Sequence, residues 1–374
     1  MVGEKPIKIV VTGGHHTPAL AVMAALKKRG NFQFHFIGHT TSLKGESADS
    51  VEKRTIERLN IPFYNLKTGK LYKSSLGELL KIPVGFLRAL VLLLKIRPTL
   101  VISFGGYLAA PVVLAGFVLR VPIVTHEQTV VSGWANRFIA RLANRIFVSW
   151  EQSLKFFPPK KTVLTGNPLR EDIFKGAGKK IALSRDLPTV YVTGGKQGSH
   201  ALNEVVRTAL SQFLEKYNLI HQTGSASAFQ DYQKLILLKN QLPKALQKRY
   251  ILQEYFGEEE IGAVMASADV VVGRSGANTV SELAALGKPG VLIPIPWVSH
   301  NEQEENAKIL ADRGAAVILP QKKLSSITLL AALEEIFHNF KEFKNNAEEA
   351  KSLISSDAAS LIASEILAML DLRK

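Results

Sequence analysis

Twice in this chain a five-residue segment with three consecutive apolar residues at its centre stops at two glycines and gives way to helical periodicity. KIVVT at 8–12 runs into Gly13-Gly14, and TVYVT at 189–193 runs into Gly194-Gly195. A run without polar alternation marks a strand covered on both faces, and parallel strands of that kind need a crossover helix between them. The same reading places strands at 31–38, 99–104, 122–126 and 145–149, then at 218–222, 269–273, 290–294 and 315–319. Helices are expected at 19–28, from about 200, over a long stretch between 222 and 250, and from about 327 to the end. Alternating strands and helices give the α/β class, and two glycine-loop openings give two Rossmann-like, doubly wound domains. The expected division is 1–165 for the first domain, 166–345 for the second, and 346–374 for a C-terminal helix that packs back on the first. Asn167-Pro168 and the Gly- and Lys-rich stretch 176–188 mark the linker. Such sheets bind ligands at the carboxyl ends of their strands, so both glycine loops are expected to face one cleft.

The 374 residues suffice for two such cores, and the absence of cysteine excludes disulfides and thiolate metal sites. That usage fits a reducing cytoplasm, and the first residues lack the apolar core of a secretion signal. Residues 1–165 hold 23 Lys and Arg against 8 Asp and Glu, while residues 166–374 hold 24 of each; the whole net charge of +15 lies in the first part. Such a field favours an anionic partner. Residues 70–97 are apolar and basic, and Lys81, Pro83, Arg88 and Lys95 keep them from being a membrane span. The stretch reads as an interfacial helix with Leu79, Leu80, Phe86, Leu87, Leu90 and Val91 toward lipid, at least half of which also pack on the sheet. Trp134, Arg137, Arg141 and Arg145 extend the patch. An anionic membrane surface is the expected partner. Nucleic acid is not, because aromatic stacking platforms are not evident.

Six segments carry chemistry. In Thr12-Gly13-Gly14-His15, glycines let the backbone approach a diphosphate and His15 stands where an imidazole can take a proton from a hydroxyl. Gly194-Gly195-Lys196-Gln197-Gly198 repeats the design with a cation added, which makes it the better candidate for a donor pyrophosphate. In Arg274-Ser275-Gly276-Ala277-Asn278-Thr279-Val280-Ser281-Glu282 a strand ends and a helix begins, and the carboxylate of Glu282 suits a pair of ribose hydroxyls. Residues 301–306 bring amides suited to sugar hydroxyls. Phe104-Gly105-Gly106-Tyr107 and His126-Glu127-Gln128-Thr129 follow strands of the first domain, and chemistry alone leaves their roles open. No metal-ligand cluster or Asp-x-Asp is present, so helix dipoles and Arg170 or Lys196 are expected to stabilise a leaving nucleotide, with no cofactor and no metal.

In this order the motifs resemble the MurG family of glycosyltransferases over nearly the whole chain: TGGH at 12–15, FGGY at 104–107, HEQ at 126–128, GNPLR at 166–170, GGKQG at 194–198, RSGANTVSE at 274–282 and QEEN at 303–306. The resemblance implies a GT-B fold and inverting transfer of N-acetylglucosamine from UDP-GlcNAc to the C4 hydroxyl of the muramyl sugar of lipid I. It implies a peripheral enzyme at the cytoplasmic face of the plasma membrane, with an undecaprenyl-linked acceptor. His15 is then the candidate base, and Glu127 is carried with it as catalytic. Thr12, Gly13, Gly14, Arg170, Gly195, Lys196, Gln197, Ala277, Asn278, Thr279, Val280, Ser281, Glu282 and Gln303 are placed on the donor side. There Phe256 meets the uracil through its backbone with Tyr255 close by. Gly105, Gly106, Tyr107, His126, Gln128 and Thr129 fall on the acceptor side. The chain departs from the family pattern at Val10-Val11, Thr129, Lys196 and Glu302. Other readings are a related GT-B transferase with another UDP-sugar or lipid acceptor, and a nucleotide-sugar epimerase or hydrolase.

Overall fold

The computed structural model describes residues 6–14, 16–40, 51–69, 76–175, 181, 183, 186–226, 228–298, 301–355 and 357–371. The chain divides into two compact units, Met1–Arg170 with Ser355–Lys374, and Glu171–Ile354.

The first unit is built on β1 (Ile7–Thr12), β2 (Phe32–Gly38), β3 (Phe63–Asn65), β4 (Leu100–Ser103), β5 (Ile123–Glu127), β6 (Arg145–Val148) and β7 (Thr162–Leu164), in the order β3-β2-β1-β4-β5-β6-β7 and parallel throughout. The crossovers carry α1 (His16–Lys27), α2 (Val51–Arg58), α3 (Leu76–Ile96), α4 (Ala109–Val118) and α5 (Trp134–Leu142). The second unit repeats the plan with β8 (Thr189–Thr193), β9 (Asn218–Gln222), β10 (Tyr250–Gln253), β11 (Val270–Gly273), β12 (Gly290–Leu292) and β13 (Ala316–Ile318), in the order β10-β9-β8-β11-β12-β13. Its helices are α6 (His200–Thr208), α7 (Leu210–Lys216), α8 (Asp231–Gln241), α9 (Lys244–Gln247), α10 (Glu258–Ser267), α11 (Ala277–Leu286), α12 (Glu302–Ala311), α13 (Ser326–His338) and α14 (Phe340–Glu349). In each sheet the strand before the glycine loop is central, and the strand order reverses beside it, at β1/β4 and at β8/β11. Those are the points where a doubly wound sheet opens a crevice.

Three strands lie outside the sequence expectation: β3, β7 and β10. All three are sheet edges of three or four residues. Such short pieces carry no readable period, and β10 was covered by the expected helix to 250, which ends at Gln247.

The last helix, α15 (Ala358–Asp371), returns to the first unit. Ile362, Ala363, Ile366 and Leu370 join Val22, Met23 and Leu26 of α1 over β1, β2 and β4. The boundary expected at 345 falls at 354, because α14 and the turn after it stay on α11. Lys344 Nζ donates to Gly287 O at 2.7 Å, where α11 ends in a left-handed glycine, and Glu348 pairs with both Lys344 and Lys351. Phe340–Asp371 has the length and mean hydropathy (1.5) of a membrane span. It is broken by the turn Ala350–Leu353, and the apolar face of α15 is used in the core.

On α3, Phe86 and Leu90 are the members of the expected lipid-facing set that pack against the core, as part of that set was expected to do. The side chain of Leu79 lies outside the described residues. Leu80, Val84, Leu87, Val91 and Leu94 are the exposed set, at 46–68% of their accessible surface. Their spacing of four and three residues makes one stripe along the helix. Lys81, Arg88 and Lys95, each one position on from a stripe leucine, are also exposed and line one side of it.

Candidate functional site

In the first unit β1 delivers Thr12, Gly13 and Gly14 to the sheet edge. Gly13 has φ +133°, and a Cβ there would lie 2.7 Å from the Phe104 backbone, so only glycine lets the two loops touch. Gly14 N–H donates to Gly105 O at 3.3 Å. His15 itself lies outside the described residues. Gly105 and Gly106 both have positive φ, and Tyr107 is 36% exposed, its hydroxyl pKa pushed up by burial and by Glu78.

The HEQT segment does not line a surface. His126, Glu127, Gln128 and Thr129 are buried at 1, 2, 0 and 6% exposure, which corrects the expectation that they face an acceptor. They are struts because β5 is central and buried on both faces. Gln128 Nε2 donates to His126 Nδ1 at 2.9 Å, which leaves the Nε2–H of His126 to donate to Gly166 O at 3.0 Å. That bond ties β5 to the GNP segment. Glu127 Oε1 accepts from Thr129 N–H (3.1 Å) and Thr129 Oγ1 (2.9 Å), and Oε2 accepts from Asn136 Nδ2 (2.8 Å). Asn136 Oδ1 in turn accepts from Gly106 N–H at 2.8 Å. Burial raises the Glu127 carboxyl pKa, against the lowering effect of these bonds. So enclosed, Glu127 is not open as a base for substrate would be, and its bonds lead through Asn136 to the Gly105-Gly106 loop. Asn136 was not anticipated: it is one polar residue on an amphipathic helix, with no local signal of its partners. Arg170, half-buried, is the last residue of this unit.

In the second unit the loop after β8 is held from below. Gly195 N–H donates to Thr193 Oγ1, and Gln222 Nε2 bonds both Thr193 Oγ1 and Gly195 O at 3.1 Å. Gln222 Oε1 accepts from Phe256 N–H at 3.0 Å. The expected uracil contact through the Phe256 backbone therefore meets an N–H already in use, and the ring is buried against Tyr191. Lys196 Nζ lies 5.9 Å from the Tyr255 ring centre, so the loop cation and the aromatic are neighbours. Lys196, Gln197, Asn278, Thr279, Glu282 and Gln303 are half-buried at the carboxyl ends of β8, β11 and β12. Ala277, Val280 and Ser281 point into the core at 5, 0 and 0% exposure, so on α11 the outward face is Asn278, Thr279 and Glu282. Gln303 Oε1 accepts from Ile295 N–H at 3.1 Å, fixing the loop after β12.

Behind this edge runs a buried chain of hydrogen bonds. Tyr250 donates to His221 Nδ1 (2.9 Å), His221 Nε2–H to Asn203 Oδ1 (3.0 Å), Asn203 Nδ2 to Asp231 Oδ2 (2.7 Å), and His200 Nδ1–H to Asp231 Oδ1 (2.8 Å). Glu204 also approaches this group, but Arg207 holds it through Nε and Nη2. His221 is fully enclosed, and burial lowers its pKa from 6.5 to about 3. A histidine pKa depressed on folding gives stability that is present above the unfolded value and lost as pH falls from 6.5 towards 3. The span corresponds to on the order of 5 kcal/mol. Acid unfolding of the chain is expected to shift to lower pH in His221→Gln, read by circular dichroism; an unchanged midpoint would remove His221 as the sensitive group.

Residues 9–148 match the glycosyltransferase family 28 N-terminal domain, and residues 189–362 match the family 28 C-terminal domain. The UDP-N-acetylglucosamine--N-acetylmuramyl-(pentapeptide) pyrophosphoryl-undecaprenol N-acetylglucosamine transferase of Lachnoclostridium phytofermentans is 32% identical over 368 residues, covering 95% of this chain and 97% of that protein. Its namesake in Clostridium perfringens is 32% identical over 360 residues, covering 93% and 95%. The crystal structure of Acinetobacter baumannii MurG matches at a TM-score of 0.69 and 26% identity, covering 97% of this chain and 100% of that one. The chain belongs to the MurG family. As a MurG-family protein it has the GT-B architecture of two Rossmann-like units. A UDP-GlcNAc 2-epimerase of Neisseria meningitidis, 12% identical at a TM-score of 0.62, shares the fold alone.

Proposed function

We propose that this chain is a hexosyltransferase that moves N-acetylglucosamine from UDP-GlcNAc to the C4 hydroxyl of the muramyl sugar of undecaprenyl-linked lipid I, giving lipid II for peptidoglycan synthesis. The observation that carries the reading is that the family's ordered motifs fall at the carboxyl ends of two parallel sheets, on a chain 32% identical to enzymes of that name along 95% of its length. The acceptor oxygen attacks the anomeric carbon from the face opposite the diphosphate. The C1–O bond breaks, UDP leaves with the electron pair, and the hydroxyl proton passes to a base. His15, between Gly14 and the first residue of α1, is the proposed base. The loop amides of 194–198, the start of α11 and the cations Lys196 and Arg170 are proposed to stabilise the leaving UDP, with Glu282 on the ribose and Gln303 on the sugar.

The test is UDP release from UDP-GlcNAc with and without a lipid I analogue in detergent, with the lipid product weighed by mass spectrometry. Release only with lipid, and a gain of one N-acetylhexosamine, is expected. Release without lipid would mean a hydrolase or epimerase, and UDP binding without release would mean another sugar or acceptor. In His15→Ala turnover should fall about 100-fold or more while UDP binding holds; full turnover would remove His15 as base.

The exposed stripe of α3 and its basic line are proposed to rest on the anionic cytoplasmic face of the membrane. Leu87→Glu with Val91→Glu should lower co-sedimentation with phosphatidylglycerol vesicles about tenfold or more, since two apolar anchors are lost and two like charges are added. Equal sedimentation of the double variant would sink the assignment.

A further inference from the structure

Arg274 is the first residue after β11, at the place where the strand order of the second sheet reverses. Its guanidinium crosses that reversal. Nη2 donates to Ser199 Oγ at 2.5 Å, on the β8 side, and Nη1 to Ile293 O at 3.3 Å, on the β12 side. Among the described residues no carboxylate pairs with it. Burial pulls its pKa down to about 10, the mark of a cation that its surroundings do not compensate. Three further observations point the same way. Ser199 is the N-cap of α6 and accepts from Leu202 N–H, so the guanidinium is coupled to the start of that helix. The N-cap of α11 is Gly276, which supplies no side-chain acceptor to the helix's first N–H groups. Ser275 Oγ, next in the chain, is fully buried and has no hydrogen-bond partner.

A half-buried cation with no carboxylate partner among the described residues, set beside two helix starts where the strand order reverses, is a group that an anion completes. We propose that Arg274 is a positioning residue for the diphosphate of the donor: it locks the loops after β8, β11 and β12 in one arrangement, and its charge is compensated when the diphosphate enters. This deepens the donor reading of the second unit and rests on it. The assignment differs from the expectation placed on Lys196 and Arg170. Lys196 lies beside the Tyr255 ring, whereas Arg274 is bonded through both nitrogens of its fork to the loops on either side.

The experiment is calorimetric titration of the full chain, Arg274→Met and Arg274→Lys with UDP and with uridine, alongside KM and kcat for UDP-GlcNAc. Arg274→Met should lose about 30-fold in UDP affinity, as expected for a charge-assisted contact, and keep uridine affinity within about twofold, because the nucleoside carries no charge to pair. Arg274→Lys should recover part of the UDP affinity, staying several-fold weaker than the native chain, and should also lose kcat. Should the methionine variant not fold, the lysine variant still decides: it is expected to weaken UDP several-fold and uridine not at all. Equal losses for UDP and uridine in either variant would make Arg274 a structural brace only, and no loss for either would remove it from the site. A folded wild-type chain that binds no UDP would instead overturn the donor reading itself.

Discussion

Glu127→Gln is expected to lower stability by about 2–4 kcal/mol and to cut turnover about 100-fold while UDP binding is retained. The amide is nearly isosteric, so the effect comes from the hydrogens added and the charge removed. Glu127 serves as acceptor at both oxygens, toward Thr129 on one side and Asn136 on the other. A glutamine must turn its NH2 to one of them and so face a donor. Asn136 has no relief by flipping, because its Oδ1 is already taken by Gly106 N–H. The misfit is passed to the Gly105-Gly106 loop, which touches Gly14 beside His15. A calorimetric melt should show a loss of about 4–16 °C at the usual slope for units of this size. Asn136→Ala should reproduce both effects. Wild-type melting and turnover in Glu127→Gln would show that the strut does not set the loop.

Gly198→Ala carries the second large effect. At φ +85° the added Cβ would lie 1.9 Å from Thr223 O, a backbone atom that cannot swing aside. Left-handed strain adds about 1 kcal/mol and the clash more, for a total above about 3 kcal/mol. The displaced segment is the end of the β8 loop, where Lys196, Gln197 and Ser199 are carried, so UDP affinity should fall by at least about tenfold along with melting temperature. Native affinity would mean that this loop is not where the diphosphate is held.

Why some of this was legible in the sequence and some was not follows from particular residues. The central strands β1, β4, β5, β8 and β11 are buried on both faces, so their composition alone declares them. The edges β3, β7 and β10 are three or four residues long, and pairing with a neighbour defines them rather than composition. The motif blocks were visible as strings, but a string does not say which side chains turn inward. His126, Glu127 and Gln128 read as site residues and are struts, and Val280 and Ser281 lie on the core face of α11. Asn136, Gln222 and Arg274 matter through partners 9 to 75 positions away, and single-sequence pattern holds no trace of such pairs. Phe86 and Leu90 of α3 were assigned to lipid because amphipathicity gives the stripe's width but not its phase on the sheet.

The placement of α15 affects how the chain is made. The N-terminal unit emerges from the ribosome first, yet part of the apolar surface of α1 and of the sheet beneath it stays open until residues 358–371 arrive. The second unit, contiguous from Glu171 to Ile354, can close its core while the first is still waiting. The order of completion is therefore the reverse of the usual one for a two-domain chain. A stalled or C-terminally truncated product would carry a finished second unit and a first unit with the apolar surface that α15 covers, chiefly along α1, left open, a natural substrate for chaperones and proteases.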